Sequence, residues 1–433
     1  MVTAPLPEVA SLWIDTAASQ RRFETLSGSH QCDVAIIGGG YTGLSAARSL
    51  AQKGQRPVVL EASRIGWGAS GRNGGVVSGK FRLGFADIAA GWDIAMARRM
   101  HDLGLEAIAH VGELVQAYGM VDASFRESGS LRCAHNEISL NALKNDVAWL
   151  HDALGDRSTS ILSAGEMLEE TGSKDFAGGM LNTHGGVIHP LNFVRGLASG
   201  LAADGIEIFE QSPVTALRRD GQGLVLETPT GTVRAQQVVI ATNAYSDLTA
   251  ATAEVQRTLI PFRSAIIATE PLTNKAGERL LSRGRSYTET RRMMRWFRKA
   301  GDRLLYGGRG AFGKNDSPAA FAALQKAMIA QFPDLAGVEL THRWSGLVGM
   351  TLDSIPHVGR LDDHISYAVG YNGTGIAMSM LMGKYLADLV TGGKPDIGLL
   401  ATERLKKVPF YPIREPAVRL VAGWYQFLDA IGR

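Results

Sequence analysis

Three glycines near the start of the chain have the spacing of a loop that binds phosphate. Gly38, Gly40 and Gly43 follow a run of β-branched residues, and an apolar helical pattern continues to about residue 53. Glu61 ends the next strand-like run, 18 residues beyond Gly43. In a βαβ unit of this kind the helix N-terminus binds a pyrophosphate and the carboxylate binds ribose hydroxyls. The segment predicts dinucleotide binding, with Tyr41 and Thr42 inside the loop, and leaves NAD and FAD both open.

A second glycine-rich segment begins directly after Glu61 and favours FAD. A nicotinamide cofactor leaves after turnover, whereas a resident FAD lies extended and needs backbone N–H groups along its length. We expect Ser63 and Arg64 to reach the adenosine end. The remaining candidates in this segment, for the pyrophosphate and ribityl chain above all, are Ala62, Gly68, Ala69, Ser70, Arg72, Asn73, Gly74 and Gly75. The alternative is an ordinary surface loop.

Later segments also end strands in small or glycine-rich residues that suit a cofactor. The candidates from these segments are Val214, Ala241, Thr242, Asn243, Gly373, Thr374, Gly375 and Ile376. The last four open a predicted helix, from about residue 376 to 391. Its N-terminal N–H groups and dipole would stabilise the negative charge of a reduced flavin. Cofactor contacts at both ends of the chain predict a discontinuous FAD domain.

These elements predict an α/β fold with a Rossmann-like FAD-binding domain and an inserted mixed-sheet substrate domain roofed by helices. We assign residues 1–85, 150–250 and 345–410 to the FAD domain, and residues 86–149 and 251–344 to the substrate domain. Helical patterns cover 86–118 and 137–154, with a capping box at Ser163. Residues 411–433 predict an amphipathic helix that packs on its own protein, on a membrane surface or on a second copy.

The composition excludes several other classes of protein. The chain has 433 residues, is 45% hydrophobic and carries 45 basic against 42 acidic residues, so disorder and nucleic-acid binding are not expected. Two cysteines cannot form a disulfide framework or a four-cysteine zinc site, and we expect no metal. Neither a secretory signal nor a run of about 18 apolar residues is visible. We expect a soluble, cytoplasmic protein without a transmembrane segment.

Taken together, these motifs resemble the D-amino-acid-oxidase/glycine-oxidase superfamily of flavoproteins, and within it the gamma-glutamylputrescine oxidoreductase branch. The resemblance spans nearly the whole chain. It is carried by Leu12-Trp13, residues 38–44, 60–66, 68–75 and 185–192, Asn243-Ala244-Tyr245, and residues 303–308 and 343–346. It implies an FAD-dependent enzyme that oxidises a C–N bond by hydride transfer to flavin N5, after which the imine is hydrolysed.

Four departures from the superfamily pattern refine this expectation. Gly346 stands where sarcosine-oxidase-like members carry a flavin-linking cysteine, which implies non-covalent FAD. Val348 replaces the arginine that clamps a small α-amino acid. Leu305 replaces a lysine that activates oxygen, so fast reaction with O₂ is not expected. Thr374 replaces a histidine of the branch, and its hydroxyl is no base at neutral pH.

The substrate residues are harder to identify from the sequence. Strand alternation places Arg292 and Arg298 on one face and Arg295 on the other, so one face offers two arginines to a remote carboxylate. The alternative is a set of solvated arginines on an edge strand. His189 points at the substrate or is a hydrogen-bonded structural histidine. Trp344 lines the pocket or packs under the flavin. We group His189, Arg295 and Trp344 as catalytic candidates, and Arg292, Arg298 and Asn372 as substrate-binding candidates.

The sequence thus predicts FAD-dependent oxidation of a secondary or ω-amine of the gamma-glutamylputrescine kind. A dehydrogenase or oxidase of an amino or cyclic imino acid, passing electrons to a quinone or carrier, is the alternative. The expected partners are a small-molecule amine and an electron acceptor, either O₂ or a carrier.

Overall fold

The computed structural model describes residues 6–19, 21–221, 223–273, 275–309, 317–413 and 416. The strands are β1 Gly28–Ile37, β2 Pro57–Leu60, β3 Val76–Val77, β4 Ser130–Ala134, β5 Thr159–Ser163, β6 Gly178–Asn182, β7 Gly186–Val187, β8 Glu207–Phe209, β9 Ala216–Asp220, β10 Gly223–Glu227, β11 Gly231–Ile240, β12 Ile260–Thr269, β13 Ser286–Glu289, β14 Arg295–Ala300, β15 Arg303–Arg309, β16 Leu340–Met350, β17 His357–Arg360, β18 Ile365–Val369 and β19 Ala401–Thr402. The α-helices are α1 Leu12–Asp15, α2 Tyr41–Gln52, α3 Phe85–Gly91, α4 Ile94–Ala117, α5 Glu137–Trp149, α6 Ala164–Thr171, α7 Pro190–Ala203, α8 Ala253–Gln256, α9 Lys275–Arg279, α10 Pro318–Gln331 and α11 Gly375–Val390.

The first sheet has a parallel centre of the kind that binds dinucleotides. Its strand order is β19-β17-β18-β11-β1-β2-β8, with β10 and β9 continuing from β11. Strand β1 is parallel to both of its neighbours, with β2 on one side and β11 on the other. The connections that follow β1 and β11 therefore run to opposite sides, which leaves a crevice at the carboxyl end of β1. The crevice at the carboxyl ends of such strands is the usual cofactor position. The glycine loop after β1 lies in that crevice.

Four helices cover one face of this sheet. Helix α2 packs against α11, and α4 and α7 join them in one buried core. Every residue of β2 and the last four residues of β1 are buried, as expected for strands covered on both faces. The helix pattern predicted at 86–118 is two helices, because Asp93 begins a new one by accepting the Met96 N–H at 2.7 Å.

The second sheet has the order β16-β12-β15-β14-β13-β4-β6-β5. One of its faces is apolar and is covered by α10. Strand pairing places on the opposite face a row of residues that runs across six strands: Arg132, Thr288, Trp296, Gly307, Ile266 and Trp344. This face, with its row of side chains, forms the floor of the candidate site.

The sheets differ from the domain boundaries expected from the sequence. Strands β5 and β6 lie in the second sheet, although residues 150–250 were assigned to the FAD domain, because β6 pairs with β4 and β5 pairs with β6. Strand β16 also belongs to the second sheet, so the substrate domain assigned to residues 251–344 continues to about residue 350. Helix α4 was assigned to the substrate domain with residues 86–149, but it packs on α7 and α11, the helices that cover the first sheet. The helix predicted at 411–433 lies almost wholly outside the described residues.

Across the residues that the structure describes, no helix is long and apolar enough to cross a membrane. The same residues hold no cluster of three side chains suited to binding a metal ion.

Candidate active site

A cavity of about 830 Å³ lies where the loops of the first sheet meet the floor of the second. Most of the cofactor residues expected from the sequence line it, although they come from five separate parts of the chain. These are Gly38, Gly40, Tyr41, Thr42, Glu61, Ala62, Gly68, Ala69, Ser70, Arg72, Asn73, Gly74, Val214, Ala241, Thr242, Asn243, Gly373, Thr374, Gly375 and Ile376. Gly43, Ser63, Arg64 and Gly75 are not part of the lining formed by the described residues.

The glycine loop after β1 exposes a helix N-terminus to this cavity. Gly40 precedes α2 and supplies no side-chain cap, and the Tyr41 N–H donates to Ser70 Oγ at 3.1 Å. Gly43 acts one turn later, where a Cβ would lie 1.9 Å from the carbonyl oxygen of Gly38. The third glycine of the motif is therefore needed for close packing of the helix on the strand, and the first two shape the loop itself.

Glu61 lies at the end of β2, beside the glycine loop. Its Oε2 accepts the Gly39 N–H at 2.8 Å and its Oε1 accepts the Ser63 N–H at 3.0 Å. Protein packed around the carboxyl removes water and raises its pKa, although both N–H groups oppose the shift. Arg64 points away from the cavity, because its Nη1 lies 3.1 Å from Oε2 of the fully buried Glu210. Ser63 and Arg64 therefore support the site from outside its lining.

The second glycine-rich loop is folded by its own polar side chains. The Asn73 amide donates to the carbonyl oxygens of Ala69 and Ser70, and its Oδ1 accepts the Gly75 N–H at 2.8 Å. The guanidinium of Arg72 lies 4.5 Å from the ring of Trp67. An arginine and an asparagine thus occur between the glycines because they fix the shape of a loop that borders the cavity.

The glycine turn after β18 brings the far end of the chain to the same cavity. Helix α11 begins at Gly375, and Thr374 before it makes no side-chain capping hydrogen bond within the described residues. Asn243 Oδ1 accepts the Gly370 N–H at 2.9 Å, which joins this turn to the loop after β11. Thr42 and Tyr371 join it to α2 through a hydrogen bond between their hydroxyls.

These features fit FAD. Two helix N-termini without side-chain caps, those of α2 and α11, border one cavity, and such termini offer N–H groups and positive dipole ends to anionic groups. Both cysteines of the chain, Cys32 and Cys133, are buried and neither borders the cavity. The donor set therefore suits a phosphate-containing cofactor held without a thioether bond.

Comparison with known proteins identifies the family. The model for the DAO family, described as FAD dependent oxidoreductase, matches residues 33–389. The chain belongs to this family. It is 32% identical to gamma-glutamylputrescine oxidoreductase of Escherichia coli, over 98% of this chain and 99% of that protein. It is 31% identical to the probable oxidoreductase OrdL of Haemophilus influenzae, over 97% of each.

The fold agrees with this assignment. The crystal structure of glycine oxidase from Geobacillus kaustophilus superposes with a TM-score of 0.71 at 25% identity, covering 87% of this chain and 99% of that one. The expectation of a Rossmann-like α/β flavoprotein with a second mixed sheet is confirmed. The protein is an FAD-dependent oxidoreductase of the DAO family that holds its cofactor non-covalently.

In this DAO-family enzyme, His189 is a structural residue and does not border the cavity. It begins α7, where its Nδ1 accepts the Asn192 N–H at 3.2 Å and its Nε2 lies 3.1 Å from Thr16 Oγ1. Burial, with the charge of Arg298, lowers the pKa of His189 to about 4. Of the two interpretations offered by the sequence, the hydrogen-bonded structural histidine is therefore the one that the structure supports.

The arginines around β14 are divided between different environments. The strand is not an edge strand, because it pairs with β13 and β15. Arg298 is 4% exposed and donates to the Ile188 carbonyl at 2.9 Å, and Arg295 lies 3.8 Å from the buried carboxylate of Glu289. Neither arginine borders the cavity, whereas Arg292 does. Burial and pairing thus remove Arg295 and Arg298 from the positions expected for a carboxylate anchor.

The last two candidates hold the walls of the site together. Trp344 is fully buried behind the cavity lining, and its Nε1 donates to the Arg72 carbonyl at 2.9 Å, so it packs beneath the second glycine-rich loop. Asn372 borders the cavity, but its amide donates to Gly370 O and Thr351 Oγ1 while its Oδ1 accepts the Thr351 N–H. Its amide therefore stabilises the glycine turn.

Trp296, Lys80 and Arg132 are among the residues that border the cavity and were not candidates from the sequence. Trp296 lies between two glycines, since a Cβ at Gly74 would be 2.5 Å from its ring and one at Gly307 would be 2.2 Å away. Lys80 and Arg132 border the part of the cavity that lies along β4. Strand alternation pointed to Trp296, but nothing local distinguishes Lys80 or Arg132 from surface residues.

Proposed function

We propose that this protein oxidises a C–N bond in an elongated amine of the gamma-glutamyl-diamine class. One observation carries the proposal: the cavity continues from the cofactor loops along the floor of the second sheet, and its wall at residues 346–349 has no ionisable side chain. Gly346, Leu347, Val348 and Gly349 form that wall. An α-amino acid would leave its carboxylate unpaired beside such a wall, whereas a neutral amine is compatible with it.

The chemistry follows from the polarity of the lining. Bound FAD would accept a hydride from the carbon next to the substrate nitrogen. The chain's part is to bind the amine in its uncharged form and to exclude water. Aromatic residues that border the cavity serve this purpose, among them Phe81, Phe85, Trp149, Phe262 and Trp296. Desolvation lowers the pKa of an amine, so a dedicated base is not required.

The relatives support the same class of substrate. The E. coli relative is named for gamma-glutamylputrescine, an amine that also carries a carboxylate. Glycine oxidases match this chain less closely, at 26% identity or below. The proposal therefore assigns to this chain the class of substrate for which the E. coli relative is named, and the panel of amines below identifies the exact amine.

The kind of electron acceptor is inferred from the uncharged side chain of Leu305. This residue is fully buried in the apolar core, at the position where oxygen-activating relatives carry a lysine. Since Leu305 itself carries no charge that could stabilise a developing superoxide, we propose slow reoxidation by O₂ and an electron carrier as the main acceptor.

The test is anaerobic reduction of the FAD-loaded enzyme by a panel of amines, read as loss of flavin absorbance. Loss with gamma-glutamyl diamines, but not with glycine, sarcosine or D-alanine, is the expected result. Slow return of colour in air would agree with the role proposed from Leu305. Reduction only by α-amino or cyclic imino acids would overturn the proposal and leave the FAD fold unaffected.

A further inference from the structure

The cavity lining includes a group of basic side chains, called here the basic end. Lys80, Arg82 and Arg132 border it there, together with Asp87 and Asp146. Arg132 is 3.4 Å from Asp146, so one of these cations is already paired. Asp146 has a raised pKa because burial and Asp87 both disfavour its charge. The charges on this part of the lining therefore favour an anion.

Lys80 lies among cations. Among the residues that the structure describes, no acidic side chain pairs with its Nζ, and the charged groups that act on it are Arg132 and Arg82. The side chain is accessible from the cavity, yet surrounding protein removes bulk water and lowers the pKa of Lys80 to about 8. A carboxylate placed here would supply the compensating charge that the protein does not.

The backbone holds Lys80 in a defined position. The preceding Gly79 lies so close to α4 that a Cβ on it would be 2.2 Å from the carbonyl oxygen of Gly104. The Lys80 N–H also donates to Ser78 Oγ at 3.3 Å. Strand β3 ends at Val77 and pairs with β7. The lysine is thus on a short, anchored segment, as a binding residue requires.

The spacing along the floor gives the length of the ligand. Arg132 and Trp296 belong to the same cross-strand row and are separated by the one strand β13, which corresponds to about 10 Å between their backbones. Trp296 contacts the cofactor loop at Gly74. A span of about 10 Å equals roughly three residues of extended chain. An acyl diamine has this length, and a small amino acid does not.

We infer that Lys80, with Arg82 and Arg132 near it, forms an anion subsite for the substrate's carboxylate, and that Arg132 marks this subsite about 10 Å along the floor from Trp296. This inference rests on the proposed function and assigns its carboxylate anchor to Lys80. The arginines of β14 do not take this role, because Arg295 and Arg298 are turned away from the cavity.

The test uses the FAD-loaded enzyme and two probes, a gamma-glutamyl diamine and the same molecule with its carboxylate converted to an amide. Lys80→Met is expected to weaken binding of the carboxylate probe by about 10- to 100-fold, and Lys80→Arg to retain most of it. The loss should be at least ten times smaller for the amide probe. Lys326→Met, on the exposed side of α10, is the matched control.

Glutarate, which has no amine, separates this inference from the proposed function. If neither amine probe reduces the wild-type enzyme, the proposed function fails, and calorimetry with glutarate then decides on the subsite alone. Binding to the wild type that weakens at least tenfold in Lys80→Met, but not in Lys326→Met, supports the subsite. Equal binding by both proteins, absence of binding to the wild type, or an equal loss for the carboxylate and amide probes would overturn it.

Discussion

Trp296 links the cofactor loop to the substrate sheet, and this link can be measured. Its ring lies between Gly74 of the second glycine-rich loop and Gly307 of β15. A Cβ at Gly307 would be 2.2 Å from the ring, and one at Gly74 would be 2.5 Å from it. A tryptophan ring cannot bend away as a flexible chain end can. Gly307→Ala should therefore push the ring against the cofactor loop and weaken FAD binding, although Gly307 does not border the cavity.

The expected magnitude follows from overpacking in protein interiors. An inserted methyl group without space costs about 1–3 kcal/mol. If the strain is released when FAD dissociates, the dissociation constant of FAD rises about 5- to 150-fold in Gly307→Ala and in Gly74→Ala. Fluorescence titration of apoenzyme with FAD measures this constant directly.

A double-mutant cycle identifies the ring as the cause. Trp296→Leu removes the ring, so adding Gly307→Ala or Gly74→Ala to it should have little further effect, giving a coupling energy of about 1–3 kcal/mol. Gly337→Ala is the control, because a Cβ there has nothing within 4 Å. Additive effects in the cycle, or unchanged FAD affinity in Gly307→Ala, would refute the reasoning.

Three further predictions concern buried charges. His189 has a pKa of about 4 in the fold against an ordinary 6.5, so the unfolded chain binds more protons between these pH values. The free energy of unfolding should therefore fall by up to about 3 kcal/mol as the pH drops from 6.5 to 4. Urea unfolding should show a weaker pH dependence in His189→Gln. Arg298→Met removes a cation that disfavours protonation of His189, so NMR titration should show a higher pKa for that histidine, and an unchanged value would contradict the assigned cause. Arg64→Met removes the cation that pairs with the buried Glu210, so the apoenzyme should lose about 1–3 kcal/mol of stability, whereas a loss confined to FAD affinity would show that Arg64 contacts the cofactor.

The cofactor half of the site could be predicted because its signals are local. Gly38, Gly40 and Gly43 are set by the turn from β1 into α2, and Glu61 ends the strand that follows, so sequence spacing alone fixes their relation. The capping box at Ser163 is equally local, and the structure confirms both of its hydrogen bonds. Such features depend on residues within a few turns of one another.

The substrate half could not be predicted because its partners are distant in sequence. Whether Arg298 is solvated or buried depends on Ile188 and Trp13, which are 110 and 285 positions away. Strands β5 and β6 were placed in the wrong sheet because their patterns do not show which strand they pair with. The position of Lys80 at the cavity depends on the packing of Gly79 against Gly104 of α4, which is 25 positions away.

The division between the two halves has a consequence for specificity. The first sheet supplies backbone N–H groups and helix ends that any FAD enzyme of this fold can use, and its loops are folded by their own side chains. The floor of the second sheet supplies side chains, and one cross-strand row carries both Trp296, beside the cofactor loop, and Arg132, at the basic end. Substitutions on the floor and at Lys80 should therefore alter which amine reduces the flavin while FAD affinity is retained. Trp296 is the exception, because its ring contacts both halves, so the Gly307→Ala result tests the linkage between them.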